Sequence, residues 1–312
     1  MIFGSGLSAP APQPENPANV AILGSSPLAV WLAVRFAHAG HRPLLITTPA
    51  EAPAFQNAEF SLKEDRNVVT HRINFPADYK LGPTPELLVI ACSPTELRRH
   101  LPLLNPAKLT GTTVLNCAVS SDTSYLGAFL KTAVVPTYFQ GAVSREKNHL
   151  STLSRNNTFT LSLKENSRTF ENLLDLFETA GIELAGIADD RRNFWEWFIP
   201  RTAAALLAGL YRQNIYALMK NEPVRKQLET LITELSELAA ADDVLILPSD
   251  MLHAVYAFTP AWKFALQSED KKLVTSEFGR LSTLLQNQAE ASRRPIPLLR
   301  RLLDEFYNKI LA

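Results

Sequence analysis

The chain has 312 residues, of which 46% are hydrophobic and 20% charged, and its 31 Lys and Arg residues balance its 31 Asp and Glu residues. This length is enough for two domains with their own cores, and the composition is ordinary for a globular protein. Because no overall field would attract nucleic acid or an anionic membrane, neither is an expected partner.

The chain begins with a proline-rich stretch. Residues 1–17 are predicted to be a disordered leader, since Pro10, Pro12, Pro14 and Pro17 cluster there without an apolar pattern. No basic segment followed by an apolar core is present near the start, and no apolar run is long enough to span a bilayer. A cytoplasmic protein is therefore predicted.

The most informative segment follows the leader. The apolar run Val20–Leu23 predicts a buried strand, and a helical pattern comes after a turn. This segment is similar to the dinucleotide-binding pattern G-x-G-x-x-G/A, whose three positions are Gly24, Ser26 and Ala29 here. The serine stands where the pyrophosphate comes closest to the backbone. Gly24, Ser25, Ser26 and Ala29 are the candidate contacts to a dinucleotide.

Cofactor choice is usually set just after the second strand, which is predicted to end at Thr47. An acid at this tip would bind the ribose hydroxyls of NAD, and an Arg nearby would receive the phosphate of NADP. The segment Thr47-Thr-Pro-Ala-Glu51 has neither at the tip. The hydroxyls of Thr47 and Thr48 favour NADP, and the alternative is an ordinary strand-to-loop turn.

Strand-like and helical segments alternate through the rest of the first half. Further strands are predicted at 67–73, 86–92, 112–117 and 133–136, helices at 95–104 and 124–130, and a closing strand pair at 138–141 and 157–163. The alternation predicts a parallel sheet with helices on its faces. The fold class is therefore α/β, with a Rossmann-type doubly wound domain at 18–168.

The second half is predicted to be helical. Its helices are expected at 170–180, 189–216 with an interruption at Pro200, 222–241, 249–258, 274–291 and 297–311. These elements form an all-helical C-terminal domain, residues 169–312, which would carry substrate or dimer contacts.

Cysteine and histidine patterns point away from metal chemistry. Cys92 and Cys117 fall at the ends of predicted buried strands, where reduced thiols are expected. The six histidines show no metal-ligand spacing. No metal is predicted.

Four passages in this order resemble the ketopantoate reductase family, also called 2-dehydropantoate 2-reductases. They are Val20-Ala-Ile-Leu-Gly24 with Phe36-Ala-His-Ala-Gly-His41, Leu87-Leu-Val-Ile-Ala91, Thr137-Tyr-Phe-Gln-Gly-Ala-Val143, and Ala180-Gly181 with Asp189-Asp190 and Trp195-Glu196. The similarity covers nearly the whole chain after the leader. It implies a two-domain fold of the 6-phosphogluconate-dehydrogenase-like type, a ligand between the domains, and a homodimer.

The resemblance also locates the departures from the family's site. The catalytic Lys of its Trp-Glu-Lys motif is Trp197 here, which can neither deliver a proton as an ammonium does nor place a positive charge on a forming oxyanion. Other family side chains are replaced as well. Two Asn residues correspond to Arg201 and Ala205, a Gln-Asn-Gly segment to residues 118–120, and a substrate-binding Ser to Phe264. A Lys near the nicotinamide corresponds to Ser93, which the resemblance makes a further candidate contact to the cofactor.

One acidic position matches the family. Glu277, in Ser276-Glu277-Phe278, corresponds to a glutamate of catalysis and substrate binding, although a first-turn surface charge is the alternative. Arg201 is expected either to bind an anionic ligand or to pair with Glu277, and the pair is favoured. Glu277 and Arg201 are the candidate catalytic residues.

Two functional hypotheses follow. In the first, the protein is an NADP-dependent oxidoreductase that reduces a small carbonyl compound other than ketopantoate, with Arg201 polarising the carbonyl and Glu277 positioning the substrate. In the second, it is a catalytically inactive relative that binds a ligand or a protein partner. The aromatic run Phe194–Phe198 would then fill the old cleft or pack between the domains.

Overall fold

The computed structural model describes residues 16–56, 58–64, 67–71, 76–78, 82–118, 123–152, 157–258, 264–268 and 271–311. The chain divides into two compact units, Met1–Ala188 and Asp189–Ala312, called unit 1 and unit 2 below. Nearly all of the predicted leader lies outside the described residues. The two units divide at 188/189, and the domain boundary expected at 168/169 stays a prediction.

Unit 1 contains all the strands found among the described residues. They are β1 Asn19–Leu23, β2 Arg42–Ile46, β3 Phe60–Glu64, β4 Asn67–His71, β5 Ala77–Asp78, β6 Leu87–Ile90, β7 Thr113–Asn116, β8 Val134–Phe139, β9 Val143–Glu146, β10 His149–Thr152, β11 Thr158–Leu161 and β12 Glu183–Gly186. Its helices are α1 Pro27–His38, α2 Pro94–His100, α3 Thr123–Leu130 and α4 Arg168–Thr179.

The large sheet has eight strands in the order β12-β11-β8-β7-β6-β1-β2-β5. Strands β5, β2, β1, β6, β7 and β8 are parallel, and the strand order reverses between β1 and β6. Its central strands are almost wholly apolar and buried, as a sheet covered on both faces requires. The predicted doubly wound α/β architecture is confirmed.

The stretches predicted as separate strands at 133–136 and 138–141 form one strand, β8, and the closing pair is present because β8 and β11 are antiparallel with Phe139 opposite Phe159. Sequence reasoning missed β12, which pairs with β11, and α4 packs against it through Phe170. These contacts tie residues 168–186 to the sheet and account for their place in unit 1.

A second, four-stranded sheet has the order β4-β3-β10-β9. The strand predicted at 67–73 belongs to this sheet as β4 and not to the parallel one, and its last two residues lie outside the described part of the chain. The pairing of β3 with β10 joins segments far apart in sequence, which periodicity does not reveal.

Unit 2 is helical over its described residues. Its helices are α5 Asp190–Tyr211, α6 Ile215–Met219, α7 Glu222–Ala241, α8 Pro248–Tyr256, α9 Lys271–Ser292 and α10 Pro297–Phe306. The expected interruption at Pro200 is wrong, because α5 continues through it. Proline removes one hydrogen bond, and the buried neighbours of Pro200, including Ile199 and Ala203, hold the helix in place.

No helix of the described residues is long and apolar enough to cross a membrane.

His41 anchors the start of β2 to α4. Its Nδ1 accepts from the N–H of Ala18 at 3.3 Å, and its Nε2 lies 2.9 Å from Thr179 Oγ1. Thr179 donates its own proton to the Leu176 carbonyl, so Nε2 carries the hydrogen and the ring is neutral. Burial lowers the pKa of His41, against a smaller opposing effect of Glu86.

This arrangement makes stability depend on pH. The unfolded chain binds the proton more readily, so the contribution of His41 is complete above pH 6.5 and declines as the pH falls through 6.5 toward the lowered folded pKa. Urea unfolding at pH 7.5 and pH 5 should show His41→Gln less stable than the wild type at the higher pH, with a smaller difference at the lower. The exposed His253 supplies the control, His253→Gln, and an unchanged difference for His41→Gln would contradict a neutral ring.

Candidate functional site in unit 1

Gly24 lies where the carboxyl ends of β2 and β6 approach the end of β1. Its N–H donates to the Ile46 carbonyl at 2.9 Å, and its φ of +124° is one that residues with a side chain rarely adopt. A Cβ here would stand 2.8 Å from Cys92 Cβ and 3.0 Å from the Ala91 carbonyl oxygen. This turn sits at the reversal of strand order, the place where open α/β sheets bind their ligands.

Ser26 serves the structure of the turn. Its φ of −61° and ψ of 158° suit any residue, and its Oγ caps α1 by accepting from Ala29 N at 3.1 Å while donating to the Ala91 carbonyl. Pro27 has no N–H, and the N–H of Ala29 already donates to Ser26 Oγ. Helix α1 therefore offers a diphosphate fewer amides than a start with a second glycine would. Ala29 is fully buried, as close helix–strand packing requires.

An acid does reach the tip of β2, which corrects the prediction. A turn in which the Glu51 N–H donates to the Thr48 carbonyl at 2.9 Å brings the Glu51 carboxylate back to the strand end. Thr47, Thr48 and Ser25 donate their hydroxyls to it at 2.6, 2.9 and 3.2 Å. Thr47 is fully buried. The two threonine hydroxyls thus hold a carboxylate, and the geometry removes the reason for expecting a phosphate contact from them.

Glu51 is ionised and accessible. Burial acts to raise its pKa, but the hydrogen bonds from Thr47, Thr48 and Ser25 outweigh this effect and lower the pKa. The side chain is 43% exposed. A negative charge therefore stands beside the Gly24 turn and faces solvent.

Two further residues surround this carboxylate, and sequence reasoning missed both. His100 is buried, with its Nε2 3.7 Å from Glu51 Oε2. Arg145, on β9, donates to the Ser25 carbonyl at 3.3 Å and stacks on Phe55 with its Cζ 4.7 Å from the ring centroid. Burial lowers the pKa of Arg145, and Glu51 opposes the shift. No local sequence signal links them to Gly24.

Ser93 reaches the same edge of the sheet from the end of β6. It is the N-cap of α2, where its Oγ accepts from Glu96 N at 3.2 Å and its N–H donates to Glu96 Oε2 at 2.8 Å. This reciprocal arrangement is a capping box. Cys92, next to it, is buried and reduced, and burial raises its pKa well above the usual range, as it does for Cys117.

Arg201 in unit 2 contacts aromatic rings. Its Cζ lies 4.8 Å from the Trp197 ring centroid and 5.9 Å from that of Phe258, and Phe258 packs edge-on against Phe264 at 5.7 Å. Burial lowers the pKa of Arg201 to about 9, so it stays cationic at neutral pH. The Trp197 indole is thus stacked with the Arg201 guanidinium.

Glu277 does not make the predicted pair with Arg201. Its Oε2 accepts from Arg280 Nη2 at 3.2 Å, three residues along α9. The side chain is only 12% exposed, and its Oε1 is buried with no hydrogen-bond partner within the described part of the chain. The (i, i+3) spacing makes the Arg280 pair a local one that α9 forms by itself.

Asn193 is a further residue that sequence reasoning passed over. It lies on α5, one turn before Trp197 and two turns before Arg201, and is buried. Neither its amide nitrogen nor its amide oxygen finds a partner among the described residues. Trp195 and Phe198, by contrast, are core residues of unit 2, and Trp195 donates to Asp242 at 3.1 Å.

The described residues contain no cluster of His, Cys, Asp or Glu side chains that could hold a metal ion.

The chain is similar to solved reductases over almost its full length. The ketopantoate reductase of Ralstonia eutropha is 19% identical, covering 94% of this chain and 100% of its own, with a TM-score of 0.77. The 2-dehydropantoate 2-reductase of Geobacter metallireducens is 16% identical, covering 93% and 99%, with a TM-score of 0.78. The two-domain fold that the resemblance implied is therefore confirmed.

A third similar structure is a D-mandelate dehydrogenase with NADH and anilino(oxo)acetate, at 13% identity, 93% and 98% coverage, and a TM-score of 0.75. No model of a known protein family matches the chain, and neither does any curated protein.

Proposed function

We propose that the protein is a divergent ketopantoate-reductase-like oxidoreductase that binds a nicotinamide dinucleotide at the Gly24 turn and reduces a small carbonyl compound other than ketopantoate. The observation that carries the proposal is the close approach of Gly24 to Ala91 and Cys92 at the reversal of strand order. Reductases and a D-mandelate dehydrogenase share the fold, and one of these was solved with NADH.

The residues of the turn fit a dinucleotide. Gly24 lets the turn lie close against the end of β6, the positive end of α1 follows at once, and the Glu51 carboxylate stands beside Ser25. Because α1 starts with a proline and is capped by Ser26, it has fewer free N–H groups for the diphosphate. The contact is weakened but not prevented. Affinity in the micromolar range is therefore expected.

The chemistry needs a hydride for the carbonyl carbon and a proton for its oxygen. The dinucleotide supplies the hydride when bound. Among the chain's own residues, the Arg201 cation is the candidate for polarising the carbonyl oxygen, and Glu277 is the candidate for holding the substrate. Trp197 stands in place of the family's proton-donating Lys, so ketopantoate reduction itself is not proposed.

One observation favours a second function, that of a catalytically inactive relative. Arg201 stacks on Trp197, the residue that the family resemblance matches to the catalytic Lys, and this stack supports a protein without that ammonium. A protein of this kind would keep the fold and use it to bind a ligand or a protein partner. It needs neither a hydride source nor a proton donor.

Titration of the purified protein with NADH and NADPH separates the two functions. Micromolar binding of either, read from tryptophan quenching and from a rise in melting temperature, supports the oxidoreductase and is followed by a screen of 2-keto acids. Absence of binding and of stabilisation at millimolar cofactor would exclude the redox function and leave the inactive relative. Light scattering on the same sample tests the predicted homodimer.

A further inference from the structure

The environment of Glu51 distinguishes between the two nicotinamide dinucleotides. Three hydroxyl donors from two segments, the glycine turn and the end of β2, converge on this one carboxylate. They fix it beside Ser25, the residue between the first two positions of the fingerprint. A carboxylate held in this way is preorganised to accept further hydrogen bonds at its exposed side.

We propose that Glu51 receives the hydroxyls of the adenosine ribose and selects NAD(H) against NADP(H). This inference rests on the proposed function, because it assumes that a dinucleotide occupies the Gly24 turn. It replaces the NADP preference expected from Thr47 and Thr48 with the opposite one.

Charge and hydrogen-bond direction both support the choice. A ribose diol donates hydrogen bonds, which a carboxylate accepts, whereas a 2′-phosphate brings negative charge against negative charge. The threonine hydroxyls that could have served a phosphate are already donating to Glu51, and Thr47 is fully buried. The Glu51 carboxylate is therefore expected to favour the binding of NAD(H) and to disfavour the binding of NADP(H).

Arg145 is the one cation of the described residues with a hydrogen bond to the Gly24 turn. It offers the competing possibility of a contact to the 2′-phosphate of NADP(H). Its guanidinium donates to the Ser25 carbonyl and stacks on Phe55. An arginine here could in principle receive a 2′-phosphate. Its positive charge already interacts favourably with Glu51, whose carboxylate is held at the end of β2 by Thr47 and Thr48.

The experiment measures dissociation constants for NADH and NADPH with the full-length protein, using nicotinamide fluorescence and calorimetry. The wild type should bind NADH at least tenfold more tightly than NADPH, and Glu51→Gln should weaken NADH by roughly tenfold and bring the two affinities together. Glu178→Gln makes the same charge change at an exposed site of α4 and should alter neither.

Folding is checked separately, because Glu51 also holds the turn. Glutamine keeps an oxygen for the hydroxyl donors, and Thr48→Val is a second variant that loosens the carboxylate without removing its charge. It should reduce the preference for NADH by a smaller factor than Glu51→Gln does.

Three results would overturn the inference. Equal affinities for both cofactors in the wild type would remove Glu51 as the selector while leaving dinucleotide binding intact. Tighter NADPH binding that Arg145→Gln abolishes would assign the choice to Arg145. Binding of neither cofactor by a folded wild type would overturn the proposed function and this inference together.

Discussion

Replacement of Gly24 with alanine is expected to lower the free energy of unfolding of unit 1 by about 3 kcal/mol. Two effects add. A φ of +124° is strained for any residue with a Cβ, and the new methyl group would overlap Cys92 Cβ at 2.8 Å and the Ala91 carbonyl at 3.0 Å. The carbonyl belongs to the backbone at the end of β6, so it cannot move aside as the end of a flexible side chain could.

A second glycine separates these two effects. Gly111 also has a positive φ, +80°, but nothing lies within 4 Å of the place where its Cβ would be. Gly111→Ala should therefore show the backbone strain alone, about 1 kcal/mol. Calorimetry of both variants without ligand provides the comparison, and equal losses would mean that the close approach to β6 contributes nothing.

The local part of this site is predictable from the sequence. Residues adjacent in sequence determine the strand, the glycine turn and the start of the helix. The structure has β1, Gly24 and α1 where the pattern places them. Pattern reading works here because the strand, the turn and the helix each have their own residue preferences within a short window.

The acid at the tip of β2 was missed for a different reason. Sequence reasoning looks for it at the strand end, whereas Glu51 comes after Thr47, Thr48 and two further residues. Only the turn that donates the Glu51 N–H to the Thr48 carbonyl brings the carboxylate back. The role of Arg145 is harder still to predict, since 120 residues separate it in sequence from its partner Ser25. The position of Arg145 depends on the pairing of β9 with β10 and on the long-range pairing of β10 with β3.

In unit 2, the amphipathic patterns predicted the helices, while the partners of individual charges were less predictable. Arg201 and Glu277 were expected to pair because a resemblance placed both at one site. Instead, Glu277 pairs with Arg280 on its own helix, and Arg201 stacks on Trp197 and Phe258. A local partner requires no tertiary arrangement, and aromatic faces stabilise a half-buried cation.

Glu234 on α7 is expected to be a second large determinant of stability, because it caps another helix. It is buried, and its two carboxylate oxygens accept from the N–H groups of Leu298 at 2.9 Å and Leu299 at 2.8 Å. Helix α10 begins at Pro297, and the preceding Ile296 gives it no side-chain cap. The Glu234 carboxylate on α7 thus accepts hydrogen bonds from N–H groups that α10 leaves unpaired at its start, and it lies at the positive end of the α10 dipole.

Glu234→Ala should lower the free energy of unfolding of unit 2 by about 3 kcal/mol, since two sheltered donors lose their acceptor. Glu234→Gln keeps one oxygen but loses the charge and should cost about 1 to 2 kcal/mol. The matched control is Glu229→Gln on the same helix, where an exposed pair with Arg225 predicts a change below about 0.5 kcal/mol.

Hydrogen exchange distinguishes a lost cap from general destabilisation. If Glu234 caps α10, the amides of Leu298 and Leu299 should exchange faster in Glu234→Ala than the rest of unit 2 does. A uniform increase across α5, α7 and α10 would instead assign the loss to packing around the removed side chain. The expected order of stability is Glu234→Ala lowest, then Glu234→Gln, then the Glu229→Gln control. Because glutamine preserves the volume of glutamate, this order follows only if the carboxylate oxygens of Glu234 are responsible for the stabilisation.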